Sequence, residues 1–143
     1  MSAFTHLIKL SVGTEDVADL ARWHADPRAQ TADGYPRHIT RMWPKREAEV
    51  LNGGSIFWVI KGVVLCRQRV LRLDEVIGGD GIRRCAIVLD PELQRTEPTQ
   101  RRAFQGWRYL DPAQAPADLA AARKGEDRLP PELSAALAAI GVR

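Results

Sequence analysis

The stretch from Val63 to Val76 constrains the fold of this chain more tightly than any other segment. Within it Val64, Cys66, Gln68 and Val70 share one parity, whereas Leu71 and Leu73 share the other with Arg67 and Arg69. Side chains of a strand alternate between its two faces, so an apolar set that changes parity requires an extra residue where it changes. A β-bulge or sharp bend is therefore predicted near residues 69 to 71, of the kind that turns a barrel corner. Ile77-Gly78-Gly79-Asp80-Gly81 follows as a hairpin loop, and Ile82 to Asp90 returns as the partner strand. Because these glycines join two strands and open no helix, they are assigned to a turn and not to a phosphate loop.

The rest of the chain arranges itself around that hairpin. His6 to Val12 has strand character and ends at Gly13, after which Thr14 is expected to cap a helix running up to Pro27. Residues 26 to 36 are polar and turn-forming, a surface loop. Arg37 to Met42 alternates as a half-exposed strand, Lys45 to Leu51 forms a short helix, and Asn52-Gly53-Gly54 stops it. Ser55 to Lys61 is nearly all apolar and too short for a globular helix, which makes it a central strand. A short strand near Leu93 to Glu97 and two helices, Pro116 to Lys124 and Pro131 to Ile140, complete the pattern.

Strands in these positions do not alternate with helices as a parallel sheet requires. The expected class is α+β, a small, mostly antiparallel β-barrel with flanking helices. Its 143 residues fit one domain, 1–143, with a helical C-terminal extension at about 112–143. Hydrophobic residues at 45% and charged residues at 27% suit a soluble globular protein. No apolar run approaches a membrane span, and the first residues lack the basic-then-apolar order of a signal peptide, so no membrane partner and a cytoplasmic location are expected.

Chemistry-bearing residues form no catalytic constellation. Cys66 and Cys85 sit in apolar strands and are expected to be buried thiols, and His6, His24 and His38 show no ligand spacing, so no metal site and no cofactor are predicted. Charge is more informative. Residues 37 to 108 carry 14 Lys/Arg against 8 Asp/Glu, a local +6 in a chain whose net charge is +3. Two runs concentrate that charge beside aromatic rings: Arg41-Met42-Trp43-Pro44-Lys45-Arg46, and Arg101-Arg102-Ala103-Phe104-Gln105-Gly106-Trp107-Arg108-Tyr109. Guanidinium groups match phosphate geometry, and indole or phenol faces stack on any base.

These features make Arg41, Trp43, Lys45, Arg46, Arg101, Arg102, Gln105, Trp107, Arg108 and Tyr109 the candidate nucleic-acid-binding residues. Trp43, Trp107 and Tyr109 either wall a cleft or close the ends of a barrel core, and Trp58 belongs to the core. Gln105 either reads a base edge or ties down a loop. Arg67, Arg69, Arg83 and Arg84 form either a basic stripe or a solvated face.

The order of these segments resembles known families. Leu7-Ile8-Lys9, Gly53-Gly54-Ser55-Ile56-Phe57-Trp58 and the run from Val63 to Val76 resemble, over residues 6 to 90, the EVE and related PUA-like barrels, with Gly54-Ser55 where those have Gly-Asp. More closely, Arg41 to Arg46, Gly53 to Gly62, Arg83 to Pro91 and Phe104 to Leu110 are similar to a bacterial domain family of unknown function, number fourteen eighty-nine. That likeness implies one domain in a bacterial cytoplasm. The PUA-like resemblance implies a cleft that accepts RNA or a modified base.

The leading expectation is a non-catalytic module that binds RNA or single-stranded nucleic acid. Two alternatives stand beside it. One is a small amidohydrolase-like enzyme acting on a nucleoside or amide through Lys61, with Glu75, Glu97 or Thr40 nearby, as some PUA-like relatives imply. The other is a protein-interaction module that docks through Pro131 to Ile140.

Overall fold

The structure is a computed structural model that describes residues 3–102 and 104–119. It contains seven strands: β1 (His6–Leu10), β2 (Arg37–Thr40), β3 (Ser55–Ile60), β4 (Val63–Ile77), β5 (Arg83–Leu89), β6 (Gln94–Gln100) and β7 (Trp107–Leu110). Two helices, α1 (Val17–Ala25) and α2 (Glu47–Leu51), lie on the path from β1 to β3. All belong to one sheet of order β2-β5-β4-β3-β1-β7, with β6 paired to β4 outside that path.

Each prominent element follows from its residues. All six residues of β3 are buried because both faces of this central strand are covered. Ile56, Trp58 and Ile60 enter the larger core with Leu7, Leu20 and Val50, while Phe57 and Val59 enter a second core with Ile8, Val64 and Leu110. The anticipated bulge in β4 is present: the register against β5 shifts between Val70 and Arg72, leaving Leu71 as the extra residue. Leu73 thereby rejoins the core to which Val70 belongs. A second shift opposite Trp58 and Val59 leaves Leu65 unpaired, so Leu65 and Cys66 both enter the larger core. At Gly54 any side chain would overlap the Thr5 and Val50 carbonyl oxygens, so glycine lets α2 run straight into β3.

The α+β class holds, but the expected barrel does not form. Among the described residues β2 pairs only with β5 and β7 only with β1, so the sheet has two ends. The bends in β4 split it between β3 and β6 along one half and β5 along the other, which divides the sheet without joining its edges. Both terminal strands are four residues long, and short edges resist association without closure.

Other boundaries also differ. β1 and β3 are parallel, joined by the crossover through α1, β2 and α2, although the other five pairings are antiparallel. Asp16 caps α1 in place of Thr14, accepting from the Asp19 backbone N–H at 2.8 Å. Trp107–Leu110 is a strand, and β6 is longer than the expected segment at 93 to 97. Of the helix expected over Pro116 to Lys124, residues 116–119 are not helical, with Asp118 bridged to Thr96 and the Leu119 N–H donating to the Arg95 carbonyl at 3.0 Å, and residues 120–124 lie outside the described residues. The expected helix Pro131 to Ile140 lies outside the described residues.

Candidate functional site

A cleft of about 500 Å³ opens where β1 ends and α1 begins. Four elements and a loop build it. Lys9, Leu10 and Ser11 come from the end of β1, and Val12-Gly13-Thr14 forms the loop. Asp19, Leu20, Trp23 and His24 come from α1, Arg37 and His38 from the start of β2, and Trp58 from the middle of β3. The loop is held by short-range bonds. The Ser11 N–H donates to the Val59 carbonyl at 2.8 Å, extending the parallel pairing past β1, and the Thr14 hydroxyl lies 2.8 Å from Ser11 Oγ.

Trp58 is the fixed wall of this cleft. Its Nε1–H donates to Gln68 Oε1 at 2.9 Å, and Gln68 Nε2 donates to the Asp90 carbonyl at 3.0 Å. Gln68 is fully buried, so this chain of bonds locks the indole against water. Two imidazoles pack on it. The His38 ring stands edge-on with its centroid 5.6 Å from the indole, and the His24 ring is tilted at 5.8 Å. His24 is 6% exposed, and its Nδ1 is sealed from solvent with no hydrogen-bond partner among the described residues. An unsatisfied buried polar atom is uncommon in a folded domain and costs about 1–3 kcal/mol.

The electrostatics of the cleft are one-sided. Burial lowers His24 to about 4. Burial lowers His38 to about 4 as well, assisted by the charge of Lys9 and by His24. Both rings are therefore neutral at pH 7. Burial also lowers Lys9, whose Nζ donates only to the Leu10 carbonyl, at 3.3 Å. Among the described residues neither Lys9 nor Arg37 joins an ion pair, while Asp19 is engaged by Arg22. The cleft lining thus combines neutral aromatic rings with two cations that no acid of the described residues pairs. Trp23 stands beside them, 49% exposed. Perturbed titratable groups gathered in a concave site make this cleft the candidate site.

The residues singled out in the sequence lie elsewhere. The two runs do meet: the Trp107 Nε1–H donates to the Met42 carbonyl at 3.0 Å, and the Arg46 backbone N–H donates to the Tyr109 hydroxyl at 2.9 Å. They meet as packing. Trp107 is buried in the larger core, with Trp43 and Tyr109 against it, and these three rings line neither this cleft nor the shallow hollow described next. The Trp43 Nε1–H is taken by Glu47 Oε1 at 2.9 Å, and Arg46 lies over the Tyr109 ring while paired with Glu49. Arg108 projects to the other side of β7, over Phe104. Arg41, Lys45 and Gln105 are exposed, and Arg101 and Arg102 border a shallow hollow of about 280 Å³ with Gly62 and Gln100.

Of the basic stripe, Arg67, Arg83 and Arg84 are paired with Asp118, Glu75 and Asp80, and only Arg69 stays outside the ion pairs of the described residues. Lys61 occupies the tight β3–β4 turn in the left-handed region, with φ of 52°, and pairs with Glu15 at 2.6 Å. Glu75, one of its expected acid partners, is taken by Arg83. Cys66 and Cys85 are buried free thiols that burial pushes up to about 12. No three His, Cys, Asp or Glu side chains gather into a metal-holding group among the described residues. Among those residues no helix is long and apolar enough to cross a membrane.

Sequence reasoning missed Lys9, His24, Arg37 and His38 because they are distant along the chain and match no spacing motif. The available signal was a polar residue on an otherwise apolar face: His24 falls on the Val17, Leu20 side of α1.

The fold and cleft define an α+β single-sheet protein with a concave cleft, lined by Lys9, Arg37 and aromatic rings, at the end of its parallel strand pair. Over residues 7–143 the chain matches the model of a family described as a protein of unknown function, DUF1489, and it belongs to that family. No curated protein and no solved structure matches it.

Proposed function

We propose that this protein binds single-stranded nucleic acid, RNA foremost, by taking one nucleotide into the cleft between β1 and α1. One observation carries the reading: Lys9 and Arg37, uncompensated by acids among the described residues, stand over a pocket walled by Trp58 and His38 with the exposed Trp23 at its side. The volume falls in the range of small-ligand sites, about 300–1,000 Å³, and suits a nucleotide more than an extended duplex. Lys9 and Arg37 hold phosphate, the aromatic walls enclose the base, and Trp23 stacks on a neighbouring base. Arg41, Lys45, Arg101, Arg102 and Arg108 lie outside the ion pairs of the described residues and outside this cleft. No observation favours a lysine-centred hydrolase, because Lys61 sits in an exposed turn, is paired with Glu15 and is not among the residues that line either hollow.

The test is fluorescence anisotropy of a labelled single-stranded RNA titrated at several salt concentrations. Each phosphate contact contributes about 0.7 to the slope of log affinity against log salt for a single strand. Lys9→Ala and Arg37→Ala should each flatten that slope by about that amount. A slope that neither change alters would contradict the proposal.

A further inference from the structure

Within that cleft, and resting on the binding reading above, the structure assigns a specificity role to His24. We infer that its Nε2–H donates a hydrogen bond to the inner edge of the bound base, so that the pocket selects a ring carbonyl over an amino group at that edge. Nδ1 is shut off from solvent and from every described partner, whereas Nε2, on the ring that lines the cleft, is not sealed in that way and has no bond to another group among the described residues. A neutral imidazole carries one proton, and a buried N–H without an acceptor is the rarer and costlier orphan. The proton therefore belongs on Nε2, which makes His24 a donor at the pocket wall.

The ring is packed on one side and its backbone is anchored. The ring rests against Trp58, itself locked by Gln68, and the His24 backbone carbonyl accepts from Gln30 Nε2 at 2.8 Å. A donor held in a dry wall discriminates strongly, because a ligand that presents another donor leaves both groups unpaired. The acceptor it suits is the carbonyl of a uracil- or hypoxanthine-type edge, where cytosine and adenine present an amino group.

Binding of uridine, cytidine, inosine and adenosine 5′-monophosphates to the purified chain, measured by Trp fluorescence and calorimetry, tests this directly. Uridine is expected to bind at least about tenfold tighter than cytidine, and inosine tighter than adenosine by a similar factor. His24→Phe, which keeps the ring's bulk and removes both nitrogens, should equalise each pair and leave the salt dependence unchanged. It should also raise the melting temperature, since it deletes the orphaned Nδ1, and that result confirms a folded variant. His24→Gln, which offers both donor and acceptor, should retain binding with reduced selectivity. Equal affinities within each pair for the unaltered chain, or a uniform loss for all four in a folded His24→Phe variant, would overturn the assignment while leaving nucleotide binding standing. Binding of none of the four, together with no binding of RNA, would overturn both.

Discussion

Two regions of this molecule place aromatic rings beside basic side chains, and they differ in what their polar atoms do. Around Trp43, Trp107 and Tyr109 each indole N–H has an acceptor, the Tyr109 hydroxyl has a donor, and Arg46 is both stacked and ion-paired. That network holds the 42–46 segment against β7. In the β1–α1 cleft only Trp58 is satisfied in this way; His24 Nδ1 is orphaned, Lys9 reaches only a backbone carbonyl, and Arg37 has no acid in the described residues. The same residue types thus serve as structure where their bonds close on one another and as a candidate site where they remain open. Composition alone does not distinguish the two.

The widest separation between the regions should appear in stability. Trp107→Ala removes a buried indole from the larger core and should cost about 3–5 kcal/mol in denaturant unfolding. RNA affinity of the folded fraction should be unchanged. A small stability cost with lost binding would invert the comparison.

Acid sharpens it from the other side. His24 is held near 4 in the folded chain, against 6.5 as its ordinary value. Between those values the unfolded chain takes up a proton that the folded one refuses, so stability is intact above about pH 6.5, falls as pH drops and levels off near pH 4. The expected loss is on the order of 3 kcal/mol for His24, with His38 adding in the same direction. Urea unfolding across that range measures it, and a flat profile would mean that the histidines are not desolvated.

Smaller effects concern the cleft rim and the hairpin turn. Trp23→Ala should weaken RNA binding by about 1–3 kcal/mol through lost stacking, with little change in melting temperature because the ring is half exposed. Lys61→Ala breaks one exposed ion pair and should shift stability by about 1 kcal/mol or less, with no effect on RNA affinity. A binding defect in Lys61→Ala would restore the turn as a candidate site.

The elements that could be read in the sequence are those written in local periodicity. The parity change at residues 69 to 71 announced the bulge at Leu71, and the unbroken apolar run announced β3 as a central strand. The bulge at Leu65 left no mark, because apolar residues stand on both sides of it and parity carries no information there. Closure into a barrel depends on whether β2 and β7 pair, and neither strand's pattern encodes its neighbour. The parallel pairing of β1 with β3 was hidden for a related reason: its crossover contains another strand, β2, and does not have the plain strand-helix-strand form.

The candidate site was less legible than the fold. Trp43, Trp107 and Tyr109 were correctly associated with the runs that converge, yet convergence produced a packed core and no hollow at those rings. The cleft instead assembles Lys9, His24, Arg37, His38 and Trp58 from four different elements. Only the fold makes them neighbours.

The four tryptophans divide evenly between the regions, Trp23 and Trp58 in the cleft and Trp43 and Trp107 in the packed face. Each gives a distinct indole N–H resonance, so an NMR titration with single-stranded RNA reads both regions in one experiment. Our account predicts that the Trp23 and Trp58 signals shift saturably while those of Trp43 and Trp107 stay in place. Shifts confined to Trp43 and Trp107 would contradict it.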